Sequence, residues 1–362
     1  MRPPDAMGAT LVFPAVNQAA ADYLAAARQR GERTVCAASL PSDAVDPEGD
    51  EVHRLPSIYD QDFEPRFLSL VTQYSIRRVF CPVASVHAFM RRLIDQQQLG
   101  LAMVGQSPIR QQVEQHRRLM ARAERLLPLV RLCADGAGGL SLIEVAGVLR
   151  QASLIYGESN DDKLAAMMGI FARAPTGDVL EIGSLMGRSA FVLLYLAWRY
   201  RIGPLLTVDP WMSDNAVQRQ SPQSFQTLVE EWDFDVLREG FLVNMVALRA
   251  DDHNHLQLSS QQAFERYAAG QAGRCEATAK VSYSGRIAVI HIDGNHDYEF
   301  VRNDCRLWLG RTQPGSWLIL DDYVWAHGDG PYRVGNEFLL EQADRVETAF
   351  VCGKALFVRL RD

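Results

Sequence analysis

The sequence predicts an α/β fold in both halves of the chain, with the strands arranged in Rossmann-like sheets. Three observations lead to this prediction. Short apolar runs alternate with helical patterns over much of the chain. A strand–helix–strand unit with a glycine turn occupies residues 178–209, and two apolar runs near the C-terminus are joined by the tight turn at residues 352–354. Alternating strands and helices are typical of parallel sheets, and the terminal pair is typical of an antiparallel hairpin.

The composition is that of a globular protein with room for two domains. The chain has 362 residues, of which 48% are apolar and 22% charged, and its formal net charge is -7. This acidic balance argues against a nucleic-acid partner. The six cysteines include no Cys-x-x-Cys pair, which favours reduced thiols over disulfides or a zinc site. No apolar run reaches membrane-spanning length and no signal segment is recognisable, so we expect a cytoplasmic protein without a membrane partner.

The first half of the chain carries no clear ligand-binding motif. Its predicted strands lie near residues 10–13, 34–37, 53 and 78–83. This pattern loosely resembles the small Rossmann-like domain that precedes ATP-grasp modules, but the first turn, Phe13-Pro-Ala-Val-Asn17, lacks the glycines of a nucleotide loop. We expect residues 1–110 to form an accessory domain that orients an acceptor or mediates assembly. Residues 111–154 are expected to form a helical linker that serves as a strut or a homo-oligomer contact.

The most informative stretch of the sequence begins with the strand at residues 178–182. It contains the pattern Glu181-x-Gly183-x-x-x-Gly187, and the next strand ends at Asp209. Glycine lets a ligand approach the backbone, and a carboxylate at a strand end can accept hydrogen bonds from a ribose. The spacing differs from a dinucleotide or P-loop motif, and Glu181 suits a cationic ligand better than a phosphate. An ordinary βαβ unit with a glycine turn is the alternative.

These residues resemble the first two motifs of the class I S-adenosylmethionine (SAM) methyltransferases. The resemblance implies that Glu181 and Gly183 line the methionine part of SAM and that Asp209 holds its ribose. We expect a third strand near residues 246–249, with a polar residue near the adenine at its end. The turn at residues 156–162 is expected either to cap a helix or to cover the cofactor. The full set of predicted cofactor residues is Glu181, Gly183, Ser184, Gly187, Ser189, Asp209, Trp211, Asp251 and Asp252.

Three acidic residues follow two apolar strands in the second half. Asp293 ends the run Ile287–Ile292, and Asp321 and Asp322 end the run at residues 317–320. Because neighbouring parallel strands end at one edge of a sheet, these carboxylates should lie close together. Their repulsion requires a positive partner, and a hard divalent cation such as Mg²⁺ is an economical one. Taken singly, each aspartate could equally cap a helix or face solvent.

This region resembles the metal-dependent macrocin/novobiocin-type sugar O-methyltransferases. The matching residues are Ile292-Asp-Gly-x-His-x-Tyr-Glu299, Pro314-Gly and Asp321-Asp-Tyr323. The resemblance implies a seven-stranded methyltransferase sheet over residues 155–362, with Asp293, Asp321 and Asp322 as metal ligands. It also implies that His296 or an aspartate takes the proton of a sugar or other polyhydroxylated acceptor. His291 is expected in the core, while His327 is a weaker candidate base. A hydroxylase of the same branch and a non-catalytic SAM-binding assembly protein are the rival interpretations.

Overall fold

The computed structural model describes residues 8–40, 44–45, 51–248, 252–273 and 281–361, without the side chains of residues 224–226 and 228. The chain forms two compact units that divide between Arg118 and Leu119. In the described part of the chain, no helix is both long and apolar enough to span a membrane.

The first unit contains a five-stranded parallel sheet in the order β3-β2-β1-β4-β5. Its strands are β1 (Ala9–Val12), β2 (Thr34–Ala38), β3 (Val52–Arg54), β4 (Ile76–Phe80) and β5 (Ala102–Met103). Its helices are α1 (Gln18–Gln29), α2 (Phe63–Gln73) and α3 (Ala84–Gln96), and the division between the units falls within α4 (Pro108–Ala134). Asn17 starts α1 by accepting a hydrogen bond from the backbone N–H of Ala20. The predicted α/β architecture of this half is confirmed.

The second unit contains a seven-stranded sheet in the order β11-β12-β10-β9-β6-β7-β8. Its strands are β6 (Asp178–Ile182), β7 (Leu205–Val208), β8 (His253–Leu256), β9 (Ile287–Ile292), β10 (Thr312–Leu320), β11 (Val346–Cys352) and β12 (Ala355–Leu360). Neighbouring strands from β8 to β10 are parallel, whereas β12 is antiparallel to both β10 and β11. The predicted seven-stranded sheet with an antiparallel terminal hairpin is therefore confirmed.

Helices cover both faces of this sheet. They are α5 (Leu142–Ala152), α6 (Asp161–Ile170), α7 (Arg188–Arg199), α8 (Ser213–Ala216), α9 (Gln223–Glu230), α10 (Phe234–Val246), α11 (Ser260–Ala268), α12 (Tyr298–Trp308) and α13 (Gly330–Glu341). One apolar core joins α5, α6 and α7 to the sheet around Trp317, and a second joins α11, α12 and α13 to it around Trp308. Because the central strands are buried on both faces, they read in the sequence as continuous apolar runs.

The third parallel strand lies later in the chain than the sequence predicted. The predicted strand at residues 246–249 is wrong, because Val246 is the last residue of α10. Phe241 and Met245 of that helix are four residues apart and both are buried, which is helical spacing. The true strand, β8, contains His253 and His255. His253 is buried, its Nε2 lies 3.0 Å from the Thr207 hydroxyl, and burial lowers its pKa to about 3.

Candidate active site

A cavity of about 620 Å³ opens at the carboxyl edge of the second sheet. Its walls come from the segments that follow β6, β7, β8, β9 and β10, together with Tyr156–Ser159. In the turn at residues 156–162, Asn160 caps α6, which confirms one of the two roles predicted for it, while covering a cofactor stays a prediction. Carboxyl edges of parallel strands are where α/β folds bind ligands, and the volume suits a nucleoside-sized molecule.

Gly183 is required by the packing of two strand-end loops. Its φ is +82°, and a Cβ at this position would lie 2.1 Å from the carbonyl oxygen of Asp293. The sequence suggested that this glycine admits a ligand to the backbone. In the structure, the segment it admits most closely is the backbone of Asp293 and Gly294. The backbone of the glycine loop therefore packs directly against the backbone of Asp293.

Asp209 braces the same loop from the end of β7. One carboxylate oxygen accepts the backbone N–H groups of Ser184 at 2.8 Å and Leu185 at 3.0 Å. The other oxygen accepts the N–H of Trp211 at 2.8 Å. Burial raises the pKa of Asp209, although these three hydrogen bonds favour the charged form. Asp209 lines the cavity, but much of its acceptor capacity is used to shape the loop.

The other predicted cofactor residues of this region fall into two groups. Ser184, Ser189 and Trp211 line the cavity, and the Ser184 hydroxyl is buried without a hydrogen-bond partner among the described residues. Glu181 and Gly187 lie behind this lining. Glu181 is fully buried, with Oε1 3.0 Å from Nδ1 of His291 on the neighbouring strand. Gly187 caps α7 in a left-handed conformation.

The predicted adenine contact at Asp252 is wrong, and Asp251 lies outside the described residues. Asp252 directly precedes β8, which runs parallel to β7, so it lies at the amino edge of the sheet. Ligand-facing residues must instead follow β8. The residues that line the cavity there are Ser259, Ser260 and Gln261. The error follows from the misplaced third strand.

The three acidic residues converge as predicted, and all three line the cavity. A lysine that sequence reasoning missed lies behind them. The Lys163 ammonium is 3.3 Å from Oδ2 of Asp293, donates a hydrogen bond to Oδ2 of Asp321, and lies 3.3 Å from Nε2 of His291. Its side chain is 1% exposed. Lys163 therefore supplies a permanent positive charge on the inner side of the cluster.

The charged groups of the cluster shift one another's pKa values. Burial disfavours the charged lysine, but Asp293 and Asp321 outweigh that effect, so the pKa of Lys163 lies above its ordinary value. Burial and repulsion from Asp293 raise the pKa of Asp321 to about 6. Burial also acts on Asp293, yet Lys163 and His296 prevail and hold its pKa below the ordinary range. The cluster thus contains carboxylates of unequal proton affinity.

His296 lies on the cavity side of the same acids. Its Nε2 is 3.6 Å from Oδ1 of Asp293, and its Nδ1 is 3.4 Å from Oδ2 of Asp322. Burial disfavours the imidazolium, but the carboxylates prevail and raise the pKa of His296. Its Nε2 has no hydrogen-bond partner in the part of the chain that the structure describes, and its ring lies against the edge of Trp325. This nitrogen is buried beside Asp293, in a residue that lines the cavity.

The donor set fits a hard divalent cation. Three carboxylates face two lysines, since Nζ of Lys354 lies 3.9 Å from Oδ1 of Asp322, so one net negative charge remains on these five groups when all three acids are ionised. Carboxylate oxygens are the ligands that Mg²⁺ prefers. Lys163 occupies the inner oxygens of Asp293 and Asp321, whereas Oδ1 of Asp293 and Oδ2 of Asp322 face His296. A cation would therefore bind on the cavity side.

Comparison with known proteins identifies the unit. Residues 180–323 match a family described as a methyltransferase domain. The second unit contains a SAM-dependent methyltransferase domain. A search of curated proteins finds no significant match.

Solved structures similar to the chain include several methyltransferases. The O-methyltransferase NovP is 12% identical over 61% of this chain and 82% of its own, with a TM-score of 0.38. The calicheamicin methyltransferase CalS11 is 13% identical over 72% of this chain and 95% of its own, with a TM-score of 0.37. An O-methyltransferase structure from Klebsiella pneumoniae is 17% identical over 60% of this chain and 89% of its own, with a TM-score of 0.34. The assignment of the methyltransferase domain rests on the family match.

Proposed function

We propose that the protein is an O-methyltransferase that transfers the methyl group of SAM to a hydroxyl of a sugar or other polyhydroxylated small molecule. The observation that carries this proposal is that the glycine loop and the acidic cluster line one cavity. In such a cavity a methyl donor on the Gly183 side and a hydroxyl on the Asp322 side can meet. Holding two reactants in line lowers the barrier without a covalent intermediate.

His296 is proposed as the base that takes the hydroxyl proton. Its residue lines the cavity, and its buried Nε2 lies 3.6 Å from Oδ1 of Asp293. The neighbouring carboxylates stabilise the imidazolium that proton transfer would produce. Asp293 was the other candidate from the sequence. Lys163 lowers its proton affinity, which makes Asp293 the poorer base and the better anionic support.

Asp293, Asp321 and Asp322 are proposed to hold a divalent cation, with Mg²⁺ as the first candidate. A bound cation would lower the pKa of an acceptor hydroxyl and orient it. The residues themselves contribute anionic oxygens at a fixed edge, and Lys163 keeps two of them in place from the inner side. The carboxylates of Asp293 and Asp321 are therefore held in position by Lys163 before a cation binds.

We propose for the three parts of the chain the same roles that the sequence predicts. Residues 155–362 would carry catalysis, residues 111–154 would link, and residues 1–110 would orient the acceptor or mediate assembly. We also propose a homo-oligomer in the cytoplasm. Size-exclusion chromatography with light scattering measures the oligomeric state directly, and a monomer at all concentrations would contradict that part.

The proposed reaction is tested by incubating the full chain with SAM and a panel of sugars, sugar nucleotides and polyphenols. Formation of S-adenosylhomocysteine (SAH) with an acceptor product heavier by one CH₂ supports O-methylation. A product heavier by one oxygen would instead identify a hydroxylase. Tight SAM binding without turnover of any acceptor would favour an assembly role. Turnover that survives exhaustive chelation and the Asp321→Ala substitution would overturn the metal part.

A further inference from the structure

A row of three buried polar side chains leads from the core of the second sheet to the acidic cluster. Oε1 of Glu181 on β6 lies 3.0 Å from Nδ1 of His291 on β9, and Nε2 of the same ring lies 3.3 Å from Nζ of Lys163 on α6. Glu181 and His291 are completely buried, and the Lys163 side chain is 1% exposed. Buried groups of this kind are costly unless they are paired, so their arrangement requires an explanation.

The partners of His291 determine which of its nitrogens carries the proton. An ammonium group only donates hydrogen bonds, so Nε2, which faces Lys163, must offer a lone pair. A neutral imidazole carries one N–H, which therefore lies on Nδ1 and donates to Glu181. Oε2 of Glu181 is buried without a partner among the described residues, so the bond to His291 is the contact that holds this carboxyl group.

The Lys163 ammonium has one acceptor for each of its three protons. These acceptors are Oδ2 of Asp293 at 3.3 Å, Oδ2 of Asp321, and Nε2 of His291. Asn160 fixes the backbone from which the side chain extends, because its side chain accepts the Lys163 N–H at 3.0 Å. Only three of the 37 basic residues of the chain are lysines. A compact ammonium suits three converging acceptors better than the planar guanidinium that the chain uses elsewhere.

The same three acceptors could together bind a metal ion. In the described part of the chain, His291, Asp293 and Asp321 form a group whose ligand atoms all lie within 4.8 Å of one another. Nε2 of His291 is 3.6 Å from Oδ2 of Asp293 and 3.9 Å from Oδ2 of Asp321. Because the Lys163 ammonium contacts each of these atoms, it occupies the position that a metal ion would take among them.

We propose that Glu181 and His291 are positioning residues for Lys163, and that the ammonium they hold closes the His291–Asp293–Asp321 group to metal ions. A divalent cation is then restricted to carboxylate oxygens on the cavity side, such as Oδ1 of Asp293. This consequence for a cation rests on the function proposed above, whereas the arrangement of Glu181, His291 and Lys163 does not.

NMR spectroscopy of the full chain with ¹⁵N-labelled histidine and lysine tests this arrangement. The His291 signals are identified by their absence in His291→Gln, and those of Lys354 by their absence in Lys354→Gln. Wild-type His291 should carry a proton on Nδ1 and none on Nε2. The Lys163 ammonium should exchange its protons with water about tenfold or more slowly than the half-exposed Lys354. A proton on Nε2, or equally fast exchange of the two lysines, would overturn the proposal with the wild type alone.

Two substitutions of His291 separate positioning from packing. Glutamine places an amide oxygen near the position of Nε2 and should keep exchange at Lys163 slow. Asparagine reaches only the position of Nδ1, so His291→Asn should speed this exchange about tenfold, and Glu181→Leu should act in the same direction. The matched control is His253→Asn, at a buried histidine of β8 that contacts Thr207, and it should leave Lys163 unchanged. Equal exchange rates in His291→Gln and His291→Asn would contradict the positioning role.

Titration with Zn²⁺ and Mg²⁺ tests the closure of the group. In the wild type, neither ion should shift the Nε2 signal of His291. Lys163→Ala leaves room for an ion, so Zn²⁺ should shift that signal and bind about tenfold or more tightly than to the wild type. A wild-type His291 that responds to one equivalent of Zn²⁺, or a folded Lys163→Ala that gains no Zn²⁺ site, would overturn the closure. Turnover enters neither measurement, so failure of the proposed methyl transfer is distinguishable from failure of this proposal.

Discussion

The two sheets of the chain are built alike but present different chemistry at the carboxyl ends of their strands. In the first unit, β1 is followed by Phe13, which is buried in the apolar core, and by Asn17, which caps α1. In the second unit, β6 is followed by Gly183 and β9 by Asp293, and both line the cavity. A parallel sheet supplies the edge in each case. The residues after the strands decide whether that edge binds a ligand.

Charge is handled differently in the two units as well. Arg78 and Glu32 of the first unit form a partly exposed ion pair at 3.3 Å. Lys163 of the second unit is buried between two carboxylates. Partly exposed pairs contribute little to stability because water screens them, whereas removing one member of a buried pair leaves an uncompensated charge. Matched substitutions in the two units test this contrast.

The largest effect is expected for Lys163→Met. Removing the ammonium leaves Asp293 and Asp321 buried without their cation, so the free energy of unfolding should fall by about 3–5 kcal/mol and turnover should be lost. The matched control, Arg78→Met, should cost about 0–1 kcal/mol. Urea denaturation of the three proteins measures the difference. Equal losses in the two variants would contradict the role assigned to Lys163.

Gly183→Ala is expected to have the next largest effect. The added Cβ meets the Asp293 backbone, and the left-handed conformation disfavours alanine, so about 2–4 kcal/mol of stability should be lost together with SAH binding. Gly31 of the first unit has φ +66°, and a Cβ added there would meet nothing within 4 Å, so Gly31→Ala should cost only about 1–2 kcal/mol. Thermal unfolding and SAH titration of both variants provide the comparison. Intact SAH binding by Gly183→Ala would show that the close packing of Gly183 against the Asp293 backbone is not required for cofactor binding.

His296→Gln should change activity but not the fold. Loss of a general base lowers turnover by about 10²- to 10⁴-fold, while SAH binding should change by less than about twofold because the cofactor is proposed to lie on the glycine-loop side. The matched control is His53→Gln in the first unit, where His53 lies against Tyr74 and is not one of the cavity-lining residues. Normal turnover in His296→Gln would exclude it as the base.

The smallest effect concerns the pH dependence of stability. The folded-state pKa of Asp304 is raised above that of the unfolded chain, so its neutral form favours folding at low pH, and this contribution is lost as pH rises toward and through about 7. Asp304→Asn has no such group. The variant should therefore gain a few degrees in Tm relative to the wild type between pH 5 and pH 8. A difference in Tm that does not change with pH would show that Asp304 has an ordinary pKa.

The sequence predicted the site residues that directly follow the strands better than the side chains that reach the same site from a helix. Asp293, Asp321 and Asp322 could be brought together because they follow strands of one parallel sheet, and strand order then fixes their proximity. Lys163 could not, since its position on α6 does not reveal that the helix faces the cluster. The one signal in the sequence was the position of Lys163 directly before the uncharged, mostly apolar run at residues 164–170, and the structure buries all of these residues.

The errors in the prediction have two causes. One short apolar run fits either a strand or a helix, and the sequence of one strand does not reveal which residues of a neighbouring strand lie opposite it. The run near Val246 is short and apolar, which suits either a strand or a helix end, and choosing the strand misplaced Asp252. Glu181 was expected to face a ligand, but it lies opposite His291 across the β6–β9 pair and is bonded to it in the core. Strand register is not encoded in one strand alone. His291 was expected in the core and is fully buried there.

The most direct test of the central claim is a calorimetric titration of the full chain with SAM and SAH, with and without Mg²⁺. The account predicts micromolar binding of both ligands at one site per chain, and loss of that binding in Gly183→Ala. A change of affinity with Mg²⁺ would add support for the cation site on Asp293, Asp321 and Asp322. Absence of binding by either ligand under both conditions would contradict the assignment of this cavity to SAM.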